Sequence, residues 1–172
     1  MIQQRINKCY EEDLYYLDLS NLNLNEDDEI FNNKEIIQLL SQVHMLDLSN
    51  NHLTKMIDIN IYDNIKILNI ENNNIDGILN LKYIEELNCS FNNISQINCE
   101  TLSILIATNN KLTDISHLIN LTYIDCSDNP IERIEYMDKL YHLICSTKYI
   151  SDNYHFEKVE KYKDYYVVQI QK

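Results

Sequence analysis

A single glycine and a single proline stand among 172 residues, and tryptophan is absent. A fold rich in tight turns ordinarily draws on glycine for left-handed backbone, so another residue must serve that purpose here. Asparagine, heavily used in this chain, fits. It tolerates positive φ and its side chain bonds nearby backbone. Positive charge is scarce too: 14 Lys and Arg against 27 Asp and Glu leave a formal net charge of −13. That balance argues against the basic stripe that displaces counterions from nucleic acid, so no nucleic-acid partner is expected. It suits solubility, or a basic protein partner.

Long apolar runs are missing as well. No stretch approaches the roughly 18 residues that a membrane span requires, so no membrane association is expected. Residues 1–13 lack the apolar segment of a secretory leader. The five cysteines, Cys9, Cys89, Cys99, Cys126 and Cys145, are odd in number and form no CxxC, which suggests neither a zinc site nor a disulfide framework. A reducing, cytoplasmic setting follows as the expectation. The Asn-X-Ser/Thr triplets at Asn88, Asn93 and Asn120 are then chance products of an Asn-rich chain. Abundant Asn, Ile, Tyr and Lys imply an AT-rich genome, that of a large DNA virus (hence host cytoplasm) or a low-GC microbe.

Motifs that carry chemistry are also lacking. There is no phosphate-binding G-x-x-x-x-G-K, no G-x-S-x-G, no H-E-x-x-H and no calcium loop. The five histidines, His44, His52, His117, His142 and His155, are dispersed. Strand alternation sends Cys145 and His142 to opposite faces, so they make no nucleophile and base. No catalytic residue, metal ligand or cofactor site is expected, and the chain does not read as an enzyme.

What is present is a repeat. LDLSNNHL begins at Leu46, LNIENNNI at Leu68, LNCSFNNI at Leu87, LIATNNKL at Leu105 and IDCSDNPI at Ile124. An apolar residue stands three places before each: Val43, Ile65, Ile84, Leu102 and Leu121. The recurring asparagines are Asn51, Asn73, Asn92, Asn110 and Asn129, spaced 22, 19, 18 and 19 residues apart. Two degenerate units flank these five. One runs Leu14-x-x-Leu17-x-Leu19 with Leu22 in the Asn place, and the other Leu140-x-x-Leu143-x-Cys145 with Lys148 there. Terminal repeats are ordinarily atypical, because one side of each has no neighbour.

The pattern LxxLxLxxNxL resembles the leucine-rich-repeat family over residues 14–150. The resemblance implies an α/β fold: a right-handed solenoid of about seven repeats with a parallel β-sheet on its concave face. It also implies a structural ladder formed by Asn51, Asn73, Asn92, Asn110 and Asn129. Units of 18 and 19 residues leave no room for a helix on the return path. Apolar residues every third place from Leu112 to Ile124 predict a thin convex side of extended and 3₁₀ segments. One longer unit, resembling those of ribonuclease inhibitor, predicts a helix near 27–41, starting near Asp27 or Asn32. Residues 1–13 are expected as an N-terminal cap, 14–150 as the repeats and 151–172 as a C-terminal cap. Tyr154, Phe156, Val159, Tyr162, Tyr165, Tyr166, Val167, Val168 and Ile170 make that last segment too apolar to float free. A strand is expected near 166–170.

Alternation along the repeat strands places the consensus Leu positions inward. Cys89, Cys126 and Cys145 share that third inward position with Ala107 and read as buried thiols. Facing outward is one column of Tyr16, Met45, Ile67, Glu86, Ile104, Tyr123 and His142. A second holds Asp18, Asp47, Asn69, Asn88, Ile106, Asp125 and Ile144, and a third Ser20, Ser49, Glu71, Ser90, Thr108, Ser127 and Ser146. The first column, with Asp18, Asp47 and Asp125 of the second, is the expected partner-binding surface. Exposed apolar stripes mark interaction surfaces, and Tyr and Met suit them. The expected function is non-catalytic protein–protein interaction on the concave face, with a basic partner favoured. The alternatives are a self-associating structural protein and a regulatory scaffold on an enzyme such as a phosphatase, whose regulators carry similar short repeats.

Overall fold

The computed structural model describes residues 1–146, 150, 156–161 and 166–170. Lys148, Tyr154, Tyr162 and Tyr165, assigned above to the last repeat and the tail, lie outside the described residues.

A helix, α1 (Ile2–Glu11), precedes the first strand. Each repeat motif then yields one three- or four-residue strand: β1 (Tyr16–Asp18), β2 (Met45–Asp47), β3 (Ile67–Asn69), β5 (Glu86–Asn88), β7 (Ile104–Ile106), β8 (Tyr123–Asp125) and β9 (His142–Cys145). Two longer strands, β4 (Asp76–Asn80) and β6 (Asn93–Asn98), lie between them in sequence. The tail contributes β10 (Phe156–Lys161) and β11 (Tyr166–Ile170). The main sheet runs β1-β2-β3-β5-β7-β8-β9-β11-β10, parallel through the seven repeat strands and antiparallel at β11 and β10.

Register never slips along the repeats: Leu17, Leu46, Leu68, Leu87, Leu105, Ile124 and Leu143 stand opposite one another in one file. All seven are buried. A second buried file is Leu19, Leu48, Ile70, Cys89, Ala107, Cys126 and Cys145, and a third runs Val43, Ile65, Ile84, Leu102, Leu121 and Leu140. Each fully buried Leu or Ile contributes about 1.5–3 kcal/mol, so this continuous column holds the coils together.

The return path is as thin as the three-residue period requires. Leu112, Ile115, Leu118 and Leu121 are all buried. Successive i to i+3 bonds, Leu118 N to Ile115 O at 3.0 Å and Leu121 N to Leu118 O at 3.1 Å, turn the chain in triplets. Two 3₁₀ turns, Glu29–Asn32 and Ile59–Ile61, add to this side. One feature was not legible in the sequence: β4 and β6 pair in parallel as a separate two-stranded sheet. Its register shifts at Gly77, the sole glycine, whose φ of +82° suits a residue without Cβ.

The inserted helix, α2 (Lys34–Leu40), starts later than Asp27 or Asn32. Asn33 decides its start: its Oδ1 accepts from Glu35 N at 2.9 Å and Ile36 N at 3.2 Å, satisfying two orphan donors. Asp28 caps nothing with its side chain, and the residues after it form a 3₁₀ turn instead. Ile36, Leu39 and Leu40 bury the inner face of α2. At the β1 edge, α1 covers the sheet with Ile6 and Cys9. At the other edge β11 pairs with β9 and buries Val168 and Ile170. No helix of the described residues is long and apolar enough to cross a membrane.

Candidate partner-binding face

The first outward column is continuous. Tyr16, Met45, Ile67, Glu86, Ile104, Tyr123 and His142 face one another across six strand pairs, and Gln169 of β11 extends the row. All seven repeat positions are half-buried, because each leans on its neighbours about 4.8 Å away. The Tyr123 and His142 rings stack, with centroids 4.9 Å apart and planes within 8°. Near the middle of the array lies a shallow depression of about 230 Å³, lined by Met45, Ile67, Glu86, Ile104, Asn88 and Ile106 among others. Asn88 and Ile106 belong to the second column. The alternation that places the first column outward placed them beside it.

The second column does more than offer charge. At Asp18, Asp47, Asn69, Asn88 and Asp125 the side-chain Oδ1 accepts the backbone N–H two residues on, at 2.8–3.2 Å. This Asx turn follows the last residue of β1, β2, β3, β5 and β8. The remaining carboxylate oxygens are partly engaged: Asp18 pairs with Arg5, and Asp47 Oδ2 accepts from Tyr16 Oη and Asn69 Nδ2, both at 3.2 Å. Burial, and next the Asp47 charge, push the Tyr16 phenol up to about 12. Asp18 and Asp47 thus have both carboxylate oxygens engaged within the scaffold, and Asp125 has one.

The third column is set deeper than the first two. Ser20, Ser49, Ser90 and Ser127 are buried, while Glu71 and Thr108 at the same position are half-buried. Ser20 Oγ donates to Asp18 Oδ1 and Asn88 Nδ2 donates to Glu71 Oε2, so the column lies beside the second. The next position takes left-handed backbone in six successive units: Asn21, Asn50, Asn72, Phe91, Asn109 and Asp128, with φ between 53° and 57°. Asparagine does the work of the missing glycine at four of them.

The asparagine after that position joins consecutive coils. Asn51 Nδ2 donates to Leu48 O in its own unit and to Leu19 O in the unit before, both at 2.9 Å, while its Oδ1 accepts from Leu22 N and Leu24 N. Asn73, Asn92, Asn110 and Asn129 repeat the scheme, accepting from Leu53 N, Ile75 N, Ile94 N and Leu112 N respectively. Each ladder residue reaches back one unit. Leu22, in the first unit, has no earlier coil to bond, so an apolar residue can stand there.

A second set of amides ties the opposite side: Asn60 Nδ2 donates to Asn80 O, Asn98 Nδ2 to Asn80 Oδ1 and Asn120 Nδ2 to Glu100 O. The sequence hid this set in its general excess of Asn. All five cysteines are buried, and burial pushes the Cys89 and Cys126 thiols far up, away from the reactive thiolate. Among the described residues no group of three or more His, Cys, Asp or Glu could hold a metal ion.

No family model matches this sequence, and no curated protein does. Solved structures do match. The APL1 leucine-rich repeat domain is 26% identical with a TM-score of 0.59, over 79% of this chain and 37% of that one. The leucine-rich repeat domain of APL1B is 27% identical with a TM-score of 0.60, over 79% and 41%. A chain of the LRIM1/APL1C complex is 28% identical with a TM-score of 0.61, over 83% and 27%. The matches thus span less than half the length of each of these structures.

Proposed function

Since this chain is a leucine-rich-repeat solenoid, we propose that it is a non-catalytic protein-interaction module whose concave face receives one partner. One observation carries the reading: seven half-buried side chains, mostly apolar or aromatic, stand in unbroken register, and the middle four, Met45, Ile67, Glu86 and Ile104, line a depression. A rigid sheet presents them with little entropy left to lose on binding. Solved structures with this architecture include a protein complex, that of LRIM1 and APL1C, which supports protein partners for the fold in general. The net charge of −13 favours a basic partner through steering. The reading places the protein in the cytoplasm, or in host cytoplasm for a viral source.

The test compares affinity capture from native-cell lysate by wild type and by Tyr16→Ser, Ile104→Ser and Tyr123→Ser. Each variant keeps the buried files intact. Capture of one protein that all three variants lose is the expected result. Unchanged capture by all three would move the binding surface off the concave face. Light scattering across concentrations separates the self-associating alternative, which requires mass to rise with concentration.

A further inference from the structure

We infer that the concave face selects an amphipathic helix carrying one Lys or Arg between apolar side chains, with Glu86 as the anchor for that cation. The inference rests on the concave-face reading and specifies the occupant.

Glu86 is the single acidic member of the first column, between Ile67 and Ile104 in register. It lines the central depression and is half-buried. Its carboxylate has no hydrogen-bond or ion-pair partner among the described residues. The acids of the second column differ: Asp18, Asp47 and Asp125 each have backbone or side-chain donors. A cation on the adjacent coil, Lys66, is directed elsewhere, 3.8 Å from Glu85 and over the Tyr83 ring. A carboxylate set among apolar groups and lacking a partner favours a ligand that brings a positive charge into the same apolar setting. Charge-assisted bonds are stronger where water is excluded.

Spacing selects the helix. The column repeats every ~4.8 Å across the strands. Helix residues three and four apart alternate on one face with a mean rise of about 5.2 Å, close to that repeat. An extended segment shows same-face side chains about 6.7 Å apart and loses phase after one step. A helix lying across the strands can therefore place a cation on Glu86 with apolar neighbours one turn either side, on Ile67 and Ile104. The sheet offers an extended peptide no free repeat-strand edge, since β1 is covered by α1 and β9 is paired with β11.

The test is selection of a displayed library of helical 18-residue peptides, with the positions of one face randomised, against the full chain, Glu86→Gln, Glu86→Lys and Ile104→Ser. Wild type is expected to enrich Lys or Arg at one position flanked by apolar residues three or four away. A synthetic winner should bind Glu86→Gln about tenfold more weakly, the loss of one charge-assisted bond. Glu86→Lys should enrich Asp or Glu at the same position. Apolar-faced helices selected without any basic preference, yet lost with Ile104→Ser, would overturn the role of Glu86 and leave the concave-face reading standing. No enriched helix, or winners indifferent to all three variants, would overturn the inference itself.

Discussion

Asn110 Nδ2 donates to the Cys89 carbonyl at 2.9 Å, a bond that spans a whole coil of the solenoid. The same amide reaches Ala107 O at 3.3 Å, and Oδ1 takes Ile94 N at 3.0 Å. One buried side chain thereby satisfies backbone groups of two units. Asn110→Ala leaves them without partners and should cost at least ~1–3 kcal/mol. Urea denaturation checks this, and a loss under ~0.5 kcal/mol would deny the ladder its role.

Leu105 sits in the middle of the innermost file, fully buried between Leu87 and Ile124. Leu105→Ala should cost ~2–5 kcal/mol, because coils pinned by backbone bonds on both sides cannot collapse into the cavity. The midpoint in urea should fall with little change in slope.

Phe91 occupies a left-handed position, φ 56°, where four other units place Asn. Its ring is about half exposed, so packing returns little for the strain. Phe91→Asn should stabilise the fold by roughly 1 kcal/mol. A lower denaturation midpoint would mean that the ring makes contacts worth more than the backbone relief.

Asp47 and Asn69 stand side by side and make the same Asx turn with different end groups. The turn needs an acceptor oxygen and no charge. Asp47→Asn keeps that bond but gives up the Oδ2 acceptor used by Tyr16 and Asn69, so it should lose about 0.5 kcal/mol, whereas Asp47→Ala, which also loses the turn, should lose about 1–2 kcal/mol. Equal losses in the two variants would show that the charge, through Tyr16, is what counts.

Glu26 bridges the long first unit to the second: Thr54 donates both its hydroxyl and its backbone N–H to the carboxylate. Those bonds, the hydroxyl first, hold the carboxyl at about 2 against an ordinary 4.5. The depressed value means the charged form is favoured in the fold. Its contribution is complete above the ordinary value and is lost as pH falls through about 2. Between those values the stability of wild type should fall more steeply than that of Glu26→Gln. Parallel acid limbs for the two proteins would remove Thr54 as the cause.

Much of this architecture is legible in the chain because a buried file leaves a strict trace. Leu46, Leu68, Leu87, Leu105 and Ile124 recur in phase with the next inward position two residues on and with the Asn five residues on. A coil of 18 or 19 residues cannot satisfy that pattern in another register. Legibility fades where one residue type serves several purposes. Asn50, Asn51, Asn60 and Asn69 look alike in sequence. They serve as a left-handed turn, a coil-to-coil ladder, a convex tie and a strand-ending Asx turn.

The sequence by itself determined the repeat, its phase, the inward files including Cys89, Cys126 and Cys145, and the outward column from Tyr16 to His142. Those follow from period two in a strand and from the need to hide apolar side chains. Tertiary structure decided what depends on neighbouring coils: where each strand stops, the burial of Ser49 and Ser90, and the pairing of β4 with β6. It also decided which acids of the concave face are already bonded and which, at Glu86, are not. Hydrogen bonds between residues about 20 apart, formed only once the coils stack, cannot be read from a local pattern.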